Sequence, residues 1–89
     1  MLNPNAKLNK ELFSEHVELR AIRDGYGEGL VIAGEENKNV VALSADLRES
    51  TRCEEFAKRF PERFFEVGVA EQNLATIAAG LGVSGKIPF

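Results

Sequence analysis

Two acids stand out by where they fall in the chain. Asp46 comes just after the apolar run Val40-Val41-Ala42-Leu43, and Glu71 comes shortly after the second run, Phe64-Phe65-Glu66-Val67, and the turn residue Gly68. Read as parallel strands, these runs put both acids beyond strand carboxyl ends, where open parallel sheets bind ligands. Two carboxyl groups so placed could exchange protons with a bound molecule. Glu71 also aligns with Leu74, Ala78 and Leu81 at spacings of three, seven and ten, which places it on the stripe expected to pack inward. Two accounts fit it. A first-turn acid complements the positive end of a helix dipole, an effect of about 0.3–1 kcal/mol. A shielded acid can instead hold a proton, with burial raising its pKa and the helix terminus lowering it. Asp46 is equally open between a site residue and a turn former or cap.

The other chemistry-bearing residues carry less. Cys53 sits on the apolar face of a short helix with no basic partner in view, as a small hydrophobe would. His16 reads as a surface or arm residue. Phe56, Phe60, Phe64 and Phe65 occupy core positions and are expected to pack as an aromatic cluster, not to stack on bases. Gly25-Tyr26-Gly27-Glu28-Gly29 lacks the G-x-G-x-x-G spacing and follows no strand, which argues against a dinucleotide loop.

Three helices and two to three strands position these groups. Ile22, Tyr26, Leu30 and Ala33 share one helical face, ending near Glu36, with Ser14 able to cap an early start. The three glycines inside that helix each cost about 1 kcal/mol relative to alanine, so they imply close packing. Val40 to Leu43 form an uninterrupted apolar strand of the kind covered on both faces. Cys53, Phe56, Ala57 and Phe60 mark a second helix stopped by Pro61, and Leu74, Ile77, Ala78 and Leu81 mark a third, ended by Gly82 and Gly85. Nineteen residues lie between Leu43 and Arg63, room for a helical crossover, so the strands should be parallel with a right-handed connection. Ile87-Pro88-Phe89 starts a third strand. The expected class is α/β, an open, truncated parallel sheet of two to three strands with about three helices.

Composition bounds the partners. With 89 residues, 44% of them hydrophobic, the chain can bury one modest core. Its 11 basic and 14 acidic side chains give a charge of -3, which argues against nucleic acid and anionic membranes as partners. No apolar run reaches the roughly 20 residues of a membrane span, and Met1 to Lys10 has no secretory apolar core. One cysteine excludes an internal disulfide and cysteine-clustered zinc, which fits a reducing, cytoplasmic setting. Residues 1–13 read as an N-terminal arm and 14–89 as an incomplete domain.

Three segments together are specific: Ser44-Ala45-Asp46-Leu47, Phe60-Pro61-Glu62-Arg63-Phe64-Phe65, and Val67-Gly68-Val69-Ala70-Glu71-Gln72-Asn73, followed by Ala78-Ala79-Gly80-Leu81 and Ser84 to Phe89. From about Arg23 to Phe89 the chain resembles the start of the pyrimidine-binding domain of transketolase and of its relative deoxyxylulose-phosphate synthase. With Met1 just ahead of the domain, it is similar to the second subunit of a split transketolase.

The resemblance implies roles. Glu71 matches the glutamate that hydrogen-bonds the aminopyrimidine of thiamine diphosphate, which would give its place on the inward stripe a reason. Asp46 matches an aspartate close to the thiazolium ring, and Leu47 a neighbouring apolar contact. Arg23 and Ser50 match an arginine and a serine that contact the substrate phosphate, although a surface arginine and a capping serine are equally good readings of those two. The implied activity is transfer of two-carbon ketol units between sugar phosphates, as in the pentose phosphate pathway. Magnesium and the diphosphate would be held by a diphosphate-binding partner subunit or domain, since the chain has no G-D-G followed by N-N. A complete domain would continue with further strands. The competing expectation is therefore a truncated, non-catalytic domain that only folds or associates, with edge pairing into a homo-oligomer as one outcome. A small acid-based hydrolase using Asp46 and Glu71 would need a pocket that 89 residues can hardly enclose.

Overall fold

The computed structural model describes residues 3–89. The first two residues of the expected arm, Met1 and Leu2, lie outside them. From Asn3 to Ala21 the backbone runs through turns held by local side-chain acceptors: Asn3 Oδ1 takes the Asn5 N–H, Asn9 Oδ1 the Glu11 N–H, and Ser14 Oγ the His16 N–H. Such bonds compete with helix formation. Ser14 is thus spent in a turn and caps no helix, correcting the expectation of an early start.

Helix α1 runs over Ile22–Glu36, strand β1 over Val40–Ser44, helix α2 over Glu54–Arg59, and strand β2 over Phe64–Glu66; helix α3 is Glu71–Val83 and strand β3 is Ile87–Pro88. Pro61, expected only to stop α2, also opens a single 3-10 turn, Pro61–Arg63. Helix α3 continues through Gly82 and ends one residue later.

The sheet is open and parallel, in the order β2-β1-β3. Ala42, Leu43 and Ser44 face Phe64, Phe65 and Glu66, while Val40 and Val41 face Ile87 and Pro88. All five β1 residues are buried, which explains the uninterrupted apolar run: a central strand in a parallel sheet is covered on both faces. On one face Val40 and Ala42 pack with Leu30, Cys53 and Phe56. Alternation turns Val41 and Leu43 to the other face, where Leu43 and Leu74 of α3 line a common cleft.

Two glycines seat α1 on its neighbours. A Cβ on Gly27 would lie 2.6 Å from the Arg52 carbonyl oxygen, and one on Gly34 would lie 2.7 Å from the Phe56 ring. Gly25 and Gly29 face open space, so close packing holds for only one of the three glycines singled out by sequence. The apolar face is also shorter than its period: Leu30 is buried and Ala33 half-buried, but Ile22 is 93% exposed.

Arg63 explains much of the Phe60 to Phe65 segment. Its guanidinium donates to the carbonyl oxygens of Gly34, Asn37 and Val40, at 3.0, 3.2 and 3.2 Å, satisfying acceptors where α1 ends and β1 begins. It lies 3.9 Å from the centroid of the Phe60 ring, whose own centroid is 5.0 Å from that of Phe56. Phe56 is fully buried, Phe60 and Phe64 are half-buried, and Phe65 points to the opposite face and is exposed. The expected four-ring cluster is therefore three rings, because successive strand residues face opposite ways.

Candidate functional site

The site is built at the carboxyl edge of the sheet. Beyond β1, Asp46 takes a left-handed backbone conformation with φ +63°, which aspartate tolerates better than most residues. Glu66, the last residue of β2, reaches across to it. A single carboxylate oxygen, Oε1, accepts the Asp46 N–H at 2.6 Å and the Gly68 N–H at 2.9 Å. The Asp46 N–H bond is the main reason the Glu66 carboxyl is held below the usual carboxylate range; the Gly68 N–H, the Ser44 hydroxyl and the Arg48 charge add to it against partial desolvation. Buried Ser44 completes the junction by accepting the Leu47 N–H on its hydroxyl, at 3.0 Å, and the Val67 N–H on its carbonyl, at 2.9 Å.

The loop after Asp46 folds back on α1. Thr51 bonds the Leu47 carbonyl through both its N–H and its hydroxyl, while Arg52, with φ +68°, donates to Asp24 Oδ1 at 2.8 Å. That bond lowers the Asp24 carboxyl below its ordinary range. Arg23 Nη1 donates to the Ser50 carbonyl oxygen at 3.4 Å. Two arginines thus tie the loop and the first turn of α1 together.

One cleft of about 490 Å³ gathers Arg23, Leu47, Ser50 and Glu71, with Tyr26 and Leu74 on its apolar side. Burial raises the Tyr26 hydroxyl above its ordinary value. Asp46 does not line this cleft. It opens instead, with Glu66 and Arg48, onto a neighbouring depression of about 590 Å³, and Leu47 and Ser50 line both. Glu71 is exposed, which corrects the expectation that it packs inward: α3 rests on β1 and β3, with Leu74, Ile77, Ala78 and Leu81 half-buried, while its first-turn residues Glu71, Gln72 and Asn73 are all exposed. An apolar wall with one carboxylate and one guanidinium on its rim offers a bound molecule apolar contact, a hydrogen-bond acceptor and a cationic donor.

A groove of about 790 Å³ between α1 and α2 is lined mostly by charges that already pair with one another: Arg20 with Glu28, Arg52 with Asp24, and Arg59 with Glu35. Cys53 is buried in the core beside Thr51 Oγ1, in keeping with a packing role. Among the described residues no three His, Cys, Asp or Glu side chains gather as a metal site, and no helix is long and apolar enough to cross a membrane.

Sequence reasoning missed Glu66 and Ser44. Their signal was the parallel register, which sets the last residue of one strand opposite the last of its neighbour, at the edge where ligands bind.

The chain is similar to several known proteins. The family model for the transketolase pyrimidine binding domain matches residues 19–89. A putative transketolase C-terminal section of Methanocaldococcus jannaschii is 54% identical over 70 residues, covering 79% of this chain and 22% of that protein. The 1-deoxy-D-xylulose-5-phosphate synthase of Aquifex aeolicus is 48% identical over 63 residues, covering 71% of this chain and 10% of that protein. Among solved structures, a "split gene transketolase, inactive beta4 tetramer" superposes with a TM-score of 0.67 and 58% identity, over 75% of this chain and 22% of that one. The chain therefore spans between a tenth and about a fifth of the length of these relatives.

Proposed function

The chain belongs to the transketolase pyrimidine-binding-domain family, and from that premise we propose that it supplies the pyrimidine side of a thiamine diphosphate site in a split transketolase. The enzyme would transfer two-carbon ketol units between sugar phosphates. The observation that carries this reading is the single cleft holding Arg23, Leu47, Ser50 and Glu71, with Asp46 adjoining it.

In this reading Glu71 hydrogen-bonds a ring nitrogen of the aminopyrimidine and exchanges a proton there. Thiamine diphosphate, when bound, supplies the carbanion chemistry that amino-acid side chains lack. Leu47 would offer the cofactor's thiazolium ring an apolar contact, and Asp46 would place a carboxylate near it. Arg23 and Ser50 hold the substrate phosphate, a guanidinium fork and a hydroxyl being suited to a phosphate monoester. Magnesium and the diphosphate fall to a diphosphate-binding partner subunit. Exposure of Glu71 supports the need for that partner, because a carboxyl that must keep a proton needs shielding that this chain alone does not provide. We take residues 14–89 as the domain and 1–13 as an arm, in a cytoplasmic protein.

A second reading, association without catalysis by the chain alone, rests on β2 and β3: each is an edge of the sheet with one neighbour, and exposed edges invite pairing with a partner or a second copy.

The deciding experiment is a proton–nitrogen correlation spectrum of the chain, with and without its diphosphate-binding partner, titrated with thiamine diphosphate and magnesium. Shifts centred on Glu71, Asp46 and Leu47 are expected. A spectrum that stays unchanged at all three in the presence of the partner sinks the cofactor reading and leaves the second.

A further inference from the structure

We propose that Glu66 is a positioning residue that locks the turn after β1 to the turn after β2, so that Asp46 and Glu71 are presented as one fixed pair. For the roles of those two acids this rests on the cofactor reading above; the lock itself does not.

The geometry is specific. Glu66 Oε1 accepts two backbone N–H groups, one from each turn, and both donors belong to left-handed residues, Asp46 at φ +63° and Gly68 at φ +71°. The two N–H groups come from different turns and converge on one carboxylate oxygen, so the bond pair ties one turn to the other. Aspartate visits the left-handed conformation more readily than most residues with a Cβ, and the Glu66 bond holds the Asp46 N–H in one direction there. The same oxygen fixes Gly68, and the Gly68 carbonyl then accepts the Ala70 N–H at 2.7 Å, immediately before Glu71 opens α3. A chain of three bonds therefore runs from the Asp46 backbone to the residue preceding Glu71.

Strand register makes the reach natural. Glu66 is paired with Ser44 at the end of the β1–β2 ladder, so its side chain starts two residues from Asp46 on the neighbouring strand. Ser44 braces the same junction through the Leu47 and Val67 N–H groups. The charged side chains around the carboxylate are Asp46, Arg48 and Glu49, which share its depression. Arg48 is the cation among them. A glutamine at 66 would keep a carbonyl acceptor but lose the charge that strengthens both bonds, while an aspartate keeps the charge on a shorter reach.

The test uses amide resonances of the full 89-residue chain. In the wild type the Asp46 and Gly68 N–H signals should titrate together, with one shared midpoint below the ordinary glutamate range. Asp46→Asn should keep that titration, since the oxygen belongs to Glu66. Glu66→Gln should abolish it at both positions while the Val40 to Leu43 signals stay in place. Separate midpoints for the two amides, or a titration that survives in Glu66→Gln, overturns the lock. Thiamine diphosphate affinity, measured with the partner subunit, is the second readout: Glu66→Gln should weaken it about tenfold, the value of one charge-assisted hydrogen bond, and Glu66→Asp should recover part of the loss. Wild type and Glu66→Gln binding the cofactor equally overturns the positioning role. Should the wild type itself bind no cofactor, the cofactor reading fails and the amide titration alone decides the lock.

Discussion

The guanidinium carbon of Arg63 lies over Phe60, 3.9 Å from its ring centroid, while the group donates to three carbonyl oxygens at the end of α1 and the start of β1. One side chain therefore closes the junction between a helix and the central strand. Arg63→Ala should lower stability by about 2 kcal/mol, because charge-assisted bonds to three carbonyl oxygens are lost. Arg63→Lys should fall between, since an ammonium cannot fork to several acceptors and stack at once. The check is the urea midpoint of each variant, with an unchanged slope showing that only stability moved.

Gly27 and Gly29 should respond in opposite directions to alanine. At Gly27 a Cβ meets the Arg52 backbone at 2.6 Å, so overpacking should cost about 1–3 kcal/mol. At Gly29 nothing lies within 4 Å, and alanine should stabilise by about 0.5–1 kcal/mol. Thermal unfolding of the two single variants measures both signs.

Acid should loosen the site edge. Glu66 and Asp24 both have folded pKa values below their unfolded ones, the first chiefly through the Asp46 N–H, the second chiefly through the Arg52 side chain. Each contribution is fully present above the unfolded value, about 4.3 for glutamate and 3.9 for aspartate, and is lost as pH falls through the lower folded value. Because both groups are solvent-facing, screening keeps the effect modest. Urea midpoints followed from pH 7 downward should decline less steeply in Glu66→Gln and in Asp24→Asn than in the wild type.

Arg23 and Glu71 should separate in kinetics of the chain assembled with its diphosphate-binding partner. Arg23→Ala should raise KM for a sugar phosphate about tenfold with a smaller change in kcat, the loss of a charge-assisted phosphate contact. Glu71→Gln should instead lower kcat by at least about a hundredfold, as loss of a proton-transferring group does. Equal effects of both substitutions on kcat would show that Arg23 does not act at the phosphate.

Much of this architecture was legible in the residues. The unbroken apolar run from Val40 to Leu43 announced a doubly covered strand, and the period of Leu74, Ile77, Ala78 and Leu81 announced the face of α3. Asp46 and Glu71 could be located as strand-end acids because parallel strands need a crossover and so end on one edge. Three features were not legible, each because it depends on a neighbour distant in the chain. Gly27 differs from Gly25 and Gly29 only through Arg52, which packs on it from the loop that follows β1, 25 residues further along the chain. Glu66 looks like one more strand residue until register sets it beside Asp46. Glu71 sits on an apolar stripe, yet a stripe shows which way a helix faces, not how far its covering extends.

The two seated glycines of α1 have a mechanical meaning. Gly27 and Gly34 are seven residues apart, so two close approaches of the helix to its support lie about 10.5 Å apart along its axis, with Leu30 buried between them. A rod held at three places along one face is braced against pitching and rolling alike. Arg23 stands one turn before the first of these places, and the bond between Asp24 and Arg52 pins that turn beside the mouth of the cleft.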